Sequence, residues 1–290
     1  MDMIKILTWV LIAFTAVSAL YTAKDMLAHK EEFKKPGHWV ALAIIGCITN
    51  LLDTWGIGSF ATTQAGFKFT KSCEDEVMPG TLNVGDTFPV SLEAILFFGF
   101  VDLDPVVLVT MLAAAMAGAF LGAGIVCKWD LKKVRYGLGV GLFVLAIILA
   151  LKTANVPPFG TSGTALTLPL WKLAIGCVVN FFLGALMMIG VGLYAPCTAL
   201  CALLGLNIGA AFPIMMGSCA FLMNISVFKF VKEGKYDRKA TLCLATFGCV
   251  GVWIAYKVAC FLPLSTLTYV ICCVMLYTSF TFIRDARKVS

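Results

Sequence analysis

Two glycine-interrupted stretches carry the residue types best suited to chemistry: Gly56-Ile57-Gly58-Ser59 and Gly190-Val191-Gly192. Paired glycines let a backbone come close to a ligand. A helix that begins there aims unbonded N–H groups and its positive dipole end at the same place. Ser59, Thr62, Thr63 and Thr198 add hydroxyl donors and Gln64 an amide, with Tyr194 and Cys197 beside the second break. Such a set would hold a small oxyanion with neutral donors and no buried lysine. Asn50 and Asn180 precede the two breaks, and Phe88-Pro89 and Phe212-Pro213 follow them as further lining candidates. The competing reading is structural: glycines let helices pack closely, and the asparagines hold an interrupted backbone from behind.

Three acids, Asp53, Asp86 and Glu93, lie inside apolar segments. An ionisable group at such depth costs several kcal/mol unless paired or protonated and is by default a functional candidate. Glu93 is nearest a segment midpoint, which makes it the first choice for carrying a coupling proton, with Asp86 and Asp53 behind it. A salt bridge from Glu93 to Lys257 is the alternative, and Lys257 itself suits snorkelling to an interface.

The elements that position these residues follow from composition. Of 290 residues, 60% are apolar and 13% charged, against about 45–50% and about 25% in soluble domains. The surplus apolar surface has to face lipid, which excludes a soluble enzyme and a nucleic-acid-binding domain. Apolar runs fall at about 3–23, 38–52, 55–70, 82–100, 104–126, 134–153, 170–189, 190–206, 208–228, 239–260 and 262–283. The pairs 38–52 with 55–70 and 170–189 with 190–206 are mostly short for a crossing of roughly 20 residues and read as short spans or re-entrant helices. The twelve cysteines match no disulfide or zinc spacing. Eighteen of the 22 Lys and Arg fall in 24–37, 127–135, 229–239, 284–288 and at Lys68 and Lys71. These share one side if the segments alternate, so that side is cytoplasmic by the positive-inside rule. The C-terminus then lies inside and the N-terminus outside, in a multi-pass protein of the cell inner membrane.

The chain also repeats itself. GCITN (46–50) returns as GCVVN (176–180), GIGSFATTQA (56–65) as GVGLYAPCTA (190–199), and NVGDTFPVS (83–91) as NIGAAFPIM (207–215), in the same order. Asp86 and Glu93 correspond to Ala210 and Gly217, so the acids belong to one copy only. The organisation expected is an N-terminal helix and basic loop (1–37), repeat 1 (38–153), an external linker (154–169) and repeat 2 (170–290). The charge pattern starts one repeat inside and the other outside. The fold expected is therefore an all-α polytopic membrane protein of two inverted-topology repeats with interrupted helices, plus one extra N-terminal helix. That arrangement is the mark of alternating-access transporters, with the substrate expected between the repeats.

Gly99-Phe100-Val101-Asp102, AAAMAGAFLGAGI (113–125), GVGLYAPCTALCALLGL (190–206), AFPIM (211–215) and VKEGKYDRKA (231–240) extend this layout. Together they resemble the TauE/SafE family of sulfite and organosulfonate exporters, the four-toluene-sulfonate-uptake permeases. The chain departs from the family's Gly-x-Gly-Gly-Gly run at Gly56-Ile57-Gly58-Ser59-Phe60 and Gly190-Val191-Gly192-Leu193-Tyr194. The resemblance implies a secondary transporter of small anions, most of all sulfite or a taurine-like sulfonate such as sulfoacetate, not an enzyme. Proton coupling is a further expectation. The partners expected are a small anionic substrate and the lipid bilayer, with no cofactor and no nucleic acid; oligomeric state is left open. Two alternatives stand beside it: a passive anion channel, and a membrane thiol–disulfide relay using Cys197, whose first-repeat counterpart is Thr63.

Overall fold

A computed structural model of the chain describes residues 3–34, 37–74, 76–122, 130–154, 163–188, 191–261 and 264–288. It is all-α, with twelve helices among these residues. They are α1 (Met3–Ala28), α2 (Trp39–Thr54), α3 (Ser59–Thr70), α4 (Met78–Gly85), α5 (Thr87–Phe97), α6 (Pro105–Ala117), α7 (Leu131–Thr153), α8 (Leu170–Met187), α9 (Tyr194–Leu204), α10 (Ala211–Glu233), α11 (Arg238–Phe261) and α12 (Leu264–Lys288). A single turn, Glu31–Lys34, follows α1. Six helices are long and apolar enough to cross a membrane, α1, α7, α8, α10, α11 and α12. Those helices mark a multi-pass membrane protein.

Most boundaries follow the apolar runs, with one difference. The run 82–100 is two helices, not one: it starts at Met78 and breaks at Asp86. Pro89 causes the break, because its missing N–H leaves Gly85 C=O without an i+4 donor. The second copy of the motif folds otherwise. Asn207 accepts from Gly209 N at 2.8 Å and opens a 3₁₀ turn, Ile208–Ala210, that runs straight into α10. Asn83, its sequence counterpart, sits inside α4 and donates to Pro79 O at 2.9 Å.

The chain forms two compact units. Unit 1 holds residues 1–54, 58–99 and 219–258. In it, α1 buries only Leu11, Ser18 and Thr22, while Trp9, Leu20 and Leu27 stand exposed. This inside-out arrangement suits a helix in lipid, where apolar surface is solvated by acyl chains and hydroxyls bind helix to helix. Helix α2 lies close on α11, since a Cβ on Gly46 would meet Cys243 O at 3.0 Å. Leu42, Ile45, Phe67, Met78, Leu82 and Leu244 form the core around that contact.

Unit 2 holds residues 55–57, 100–218 and 259–290. Helix α6 runs along α8 at backbone contact: a Cβ on Gly184 would strike Ala115 O and one on Gly118 would strike Phe181 O. Helix α7 packs on α12, where Ser279 Oγ donates to Gly139 O at 2.6 Å. Asp130 caps α7 by accepting from Lys132 and Lys133 amides, and the Lys133 bond above all holds its carboxyl below the ordinary range. The end of the linker is pinned rather than loose. Ala165 N donates to Gly205 O, Asn207 N donates to Ala165 O, and Thr167 Oγ1 donates to Asp104 Oδ2 at 2.8 Å.

Candidate functional site

The first break sits between α2 and α3. Gly56 and Gly58 have φ of +92° and +86°, a region closed to most side chains. The backbone reverses sharply there and delivers Ser59 to the start of α3. Its amide is not open to a ligand: Ser59 N donates to Asp53 Oδ1 at 2.7 Å. This corrects the expectation of an anion held by α3's first amide, because a carboxylate six residues earlier already occupies that position. The hydroxyls are engaged too. Thr62 Oγ1 bonds Ser59 O at 2.9 Å and Gly58 O at 3.2 Å, and Thr63 Oγ1 donates to Thr49 Oγ1 at 2.8 Å. Thr63 thus joins α3 to α2, away from any opening, while Gln64 and Phe88 are half-buried.

Asp53, Asp86 and Glu93 all belong to unit 1 and are buried. Asn50 Nδ2 donates to Asp86 Oδ1 at 3.2 Å and to Gly46 O at 3.0 Å. Thr54 Oγ1 donates to Glu93 Oε1 at 2.8 Å. The Ser59 side chain is within reach of both the Asp53 and Asp86 carboxylates, and Cys219 faces Asp53 and Glu93. Among the described residues neither Asp53 nor Asp86 has an ion pair. Lys257 lies exposed, its Nζ 4.9 Å from the centre of the Trp253 ring. Also among the described residues, no group of three or more His, Cys, Asp or Glu is arranged to hold a metal ion.

The second break belongs to unit 2. Gly190 lies outside the described residues, and Gly192 is half-buried with open space where a Cβ would be. Helix α9 starts at Tyr194 behind Leu193, an apolar N-cap residue whose side chain makes no cap hydrogen bond. Pro196 falls in its first turn, where a missing N–H costs nothing. Thr198 Oγ1 donates to Tyr194 O at 3.0 Å and points at Met215 Sδ, 3.3 Å away. A small gap of about 10 Å³ brings Gly56, Thr198 and Phe212 together with Ala195 and Met215, room for one water at most. Phe100 meets Phe212 edge to face at 5.7 Å. Cys197 and Cys201 are buried thiols one turn apart on α9. Asn180 Nδ2 donates to Met111 O at 2.8 Å and Ser218 Oγ at 3.2 Å.

Sequence reading therefore finds the acids and the asparagines but misses what joins them. Thr54 and Cys219 carry no motif, and Met215 appears only as the last residue of the 207–215 block. Their only further signal is position, next to Asp53 for Thr54 and six residues beyond Pro213 for Cys219. The polar seam of Asn224, whose Nδ2 donates to Ser91 Oγ at 3.0 Å and Thr15 Oγ1 at 3.2 Å, is likewise silent in sequence.

The geometry thus describes a multi-pass helical membrane protein with a buried acid centre in one unit and, in the other, a helix start whose N-cap residue is apolar. No family model, curated protein or solved structure matches the chain.

Proposed function

We propose that the protein is a secondary transporter of small anions, sulfite or an organosulfonate first among them, working by alternating access and coupled to protons. The observation that carries this reading is the unlike chemistry of the two helix starts. At α3 the first amide is taken by Asp53, beside Asp86 and Glu93. A dry site with adjacent carboxylates and no cation for two of them exchanges protons and repels anions. At α9 the N-cap residue is the apolar Leu193, which makes no side-chain cap. The sequence repeat puts Leu183 where Asp53 stands in the first copy, so the second break lacks the carboxylate that closes the first. A buried helix start behind an apolar N-cap, with a hydroxyl on its second turn, suits an oxyanion.

Two further features support inverted repeats spanning 38–153 and 170–290. Helix α2 of the first copy packs on α11 of the second, and α8 of the second packs on α6 of the first, each at glycine. A gap of about 10 Å³ at Thr198 is too small for a sulfur oxyanion, as expected of a closed state between openings. In this reading the basic loops face the cytoplasm across an inner membrane.

The test is flux in proteoliposomes. Sulfite, sulfoacetate and acetate uptake is measured at two pH gradients for wild type, Thr198→Val and Thr63→Val. A sulfur oxyanion should move, faster with the gradient, and Thr198→Val should slow it severalfold while Thr63→Val should not. Absence of flux for every anion overturns the proposal, and flux indifferent to pH makes the protein a passive channel.

A further inference from the structure

Asp86 and Asn50 share one hydrogen bond, Nδ2 to Oδ1, at 3.2 Å. Their two remaining oxygens, Asp86 Oδ2 and Asn50 Oδ1, are both buried and both without a hydrogen-bond partner among the described residues. Both residues are fully shielded, at 0% exposure. Two acceptors cannot satisfy each other, and buried acceptors left empty are costly. Asn180 and Asn224 also carry an unpartnered Oδ1, but neither amide is bonded to an acid. At Asn50 alone among these, the open amide oxygen and an open carboxyl oxygen belong to one bonded pair.

We propose that Asp86 carries a proton on Oδ2 and donates it to Asn50 Oδ1, closing a two-bond ring between acid and amide, and that Asp86 is the acid whose proton couples to transport. The inference rests on the reading that unit 1 carries the coupling proton, and it moves that role from Glu93 to Asp86. One proton satisfies both open oxygens at once. Glu93 has no oxygen among the unpartnered buried atoms of the described residues, and Thr54 Oγ1 lies 2.8 Å from its Oε1.

The surroundings fit. Asp53 of α2 faces Asp86 directly; Cys219 of α10 faces Asp53 and Glu93, and Cys249 of α11 faces Glu93. All are acids or thiols, and Ser59 and Asn50 offer Asp86 neutral donors only, so a negative charge on Asp86 meets no cation among these groups. Proton release leaves a carboxylate whose Oδ2 confronts the Asn50 oxygen, a repulsive contact. The pair must part before the proton leaves to water, which ties deprotonation to a shift of α2 against the α4–α5 bend. No other reactant is consumed; the proton leaves Asp86 and returns to it.

Infrared difference spectra of the purified full-length protein test this without any transport assay. Wild type at neutral pH should show the carbonyl band of a buried protonated carboxyl. Asp86→Asn should lose one such band yet fold, because an amide N–H replaces the acid O–H toward Asn50. Asn50→Ala should keep the band but shift it to the position of a carboxyl without a hydrogen-bond acceptor. Absence of the band in wild type, its full retention in Asp86→Asn, or its indifference to Asn50→Ala each overturns the proposal. Should Asp86→Asn fail to fold, the Asn50→Ala shift alone decides. In proteoliposomes, Asp86→Asn should lower the pH-gradient effect on flux at least tenfold. Coupled flux that survives this substitution sinks the assignment of Asp86 while leaving the transport reading intact.

Discussion

Asn50 and Asn180 make matching connections from positions 130 residues apart. Asn50 reaches the α4–α5 bend through Asp86, and Asn180 reaches α10 through Ser218. Each also abuts a further helix, α11 for Asn50 and α6 for Asn180. A Cβ on Gly248 of α11 would lie 2.8 Å from Asn50 Nδ2, and Asn180 Nδ2 donates to Met111 O of α6 at 2.8 Å. An amide has two donors to place, and in a dry interior both must find oxygen.

Replacing Asn180 by alanine should therefore destabilise unit 2. It removes the donor to Met111 O and to Ser218, leaving a buried carbonyl less well satisfied, at about 1–3 kcal/mol. Thermal unfolding in detergent should show a lowered midpoint. Asn180→Asp should fare worse than alanine, because it brings a carboxyl to Met111 O, an acceptor. Equal stability of Asn180→Ala and wild type would refute the role.

How far the sequence revealed this arrangement depends on which force sets each part. The helices were legible because lipid demands long apolar runs, and the breaks because Gly56 and Gly58 need a backbone that other residues resist. The asparagines and acids stood out as polar groups where none are cheap. The capping of Ser59 N by Asp53 was not legible. It depends on the turn geometry at 55–58, which fixes how a carboxyl six residues back comes round. The helix break at Asp86 is legible only as one of two options: Phe88-Pro89 marks a helix start or a kink, and packing decides between them. The α1 polar face was hidden because Thr15, Ser18 and Thr22 are spaced among residues that lipid would accept equally.

Gly58 and Gly192 look alike in sequence but should respond differently to alanine. Gly58 has φ +86° and ψ 120° with nothing near its missing Cβ, so Gly58→Ala meets no clash but is strained by about 1–3 kcal/mol at a positive φ outside the left-handed helical well. Gly192 has neither a positive φ nor a neighbour within 4 Å. Gly192→Ala should leave stability within about 0.5 kcal/mol of wild type. Gly184→Ala should be the most harmful of the three, since its Cβ would strike Ala115 backbone and overpacking costs about 1–3 kcal/mol or more. Unfolding midpoints of the three variants in one detergent give the order directly.

Arg238 should be the most sensitive charged residue. Its Nε donates to Asp25 Oδ2 at 2.8 Å and its Nη1 to Glu32 at 2.9 and 3.0 Å. The guanidinium side chain is 9% exposed and Asp25 18%, while Glu32 at 41% is partly screened by solvent. Arg238→Ala leaves Asp25 half-buried beside His29 Nδ1 at 3.4 Å and the Tyr236 hydroxyl, without its guanidinium, costing about 2–4 kcal/mol. Arg238→Lys keeps the charge but not the fork that serves two acids, and should recover less than half the loss. Because the three residues tie the start of α11 to the end of α1 and the turn after it, limited proteolysis should cut the 29–38 loop faster in Arg238→Ala.

Tyr236 ties that cluster to alkaline pH. Its hydroxyl donates to Asp25 Oδ2 at 2.5 Å. Burial first, then the hydrogen bond and charge of Asp25, push its ionisation above the ordinary tyrosine value of 10.0. Above that value the unfolded chain loses the phenolic proton while the folded chain keeps it. The folded state then binds more protons, and stability falls as pH rises. The contribution is fully present below pH 10.0 and is lost from there upward through the higher folded value. Tyr236→Phe cannot make this bond or this titration. At neutral pH the variant should be less stable by about 1 kcal/mol, with Arg238 still holding Asp25. As pH climbs past 10.0 wild type should lose this advantage, so the two unfolding midpoints converge. A gap between the midpoints that stays constant or widens with pH would show that Asp25 does not hold the Tyr236 proton.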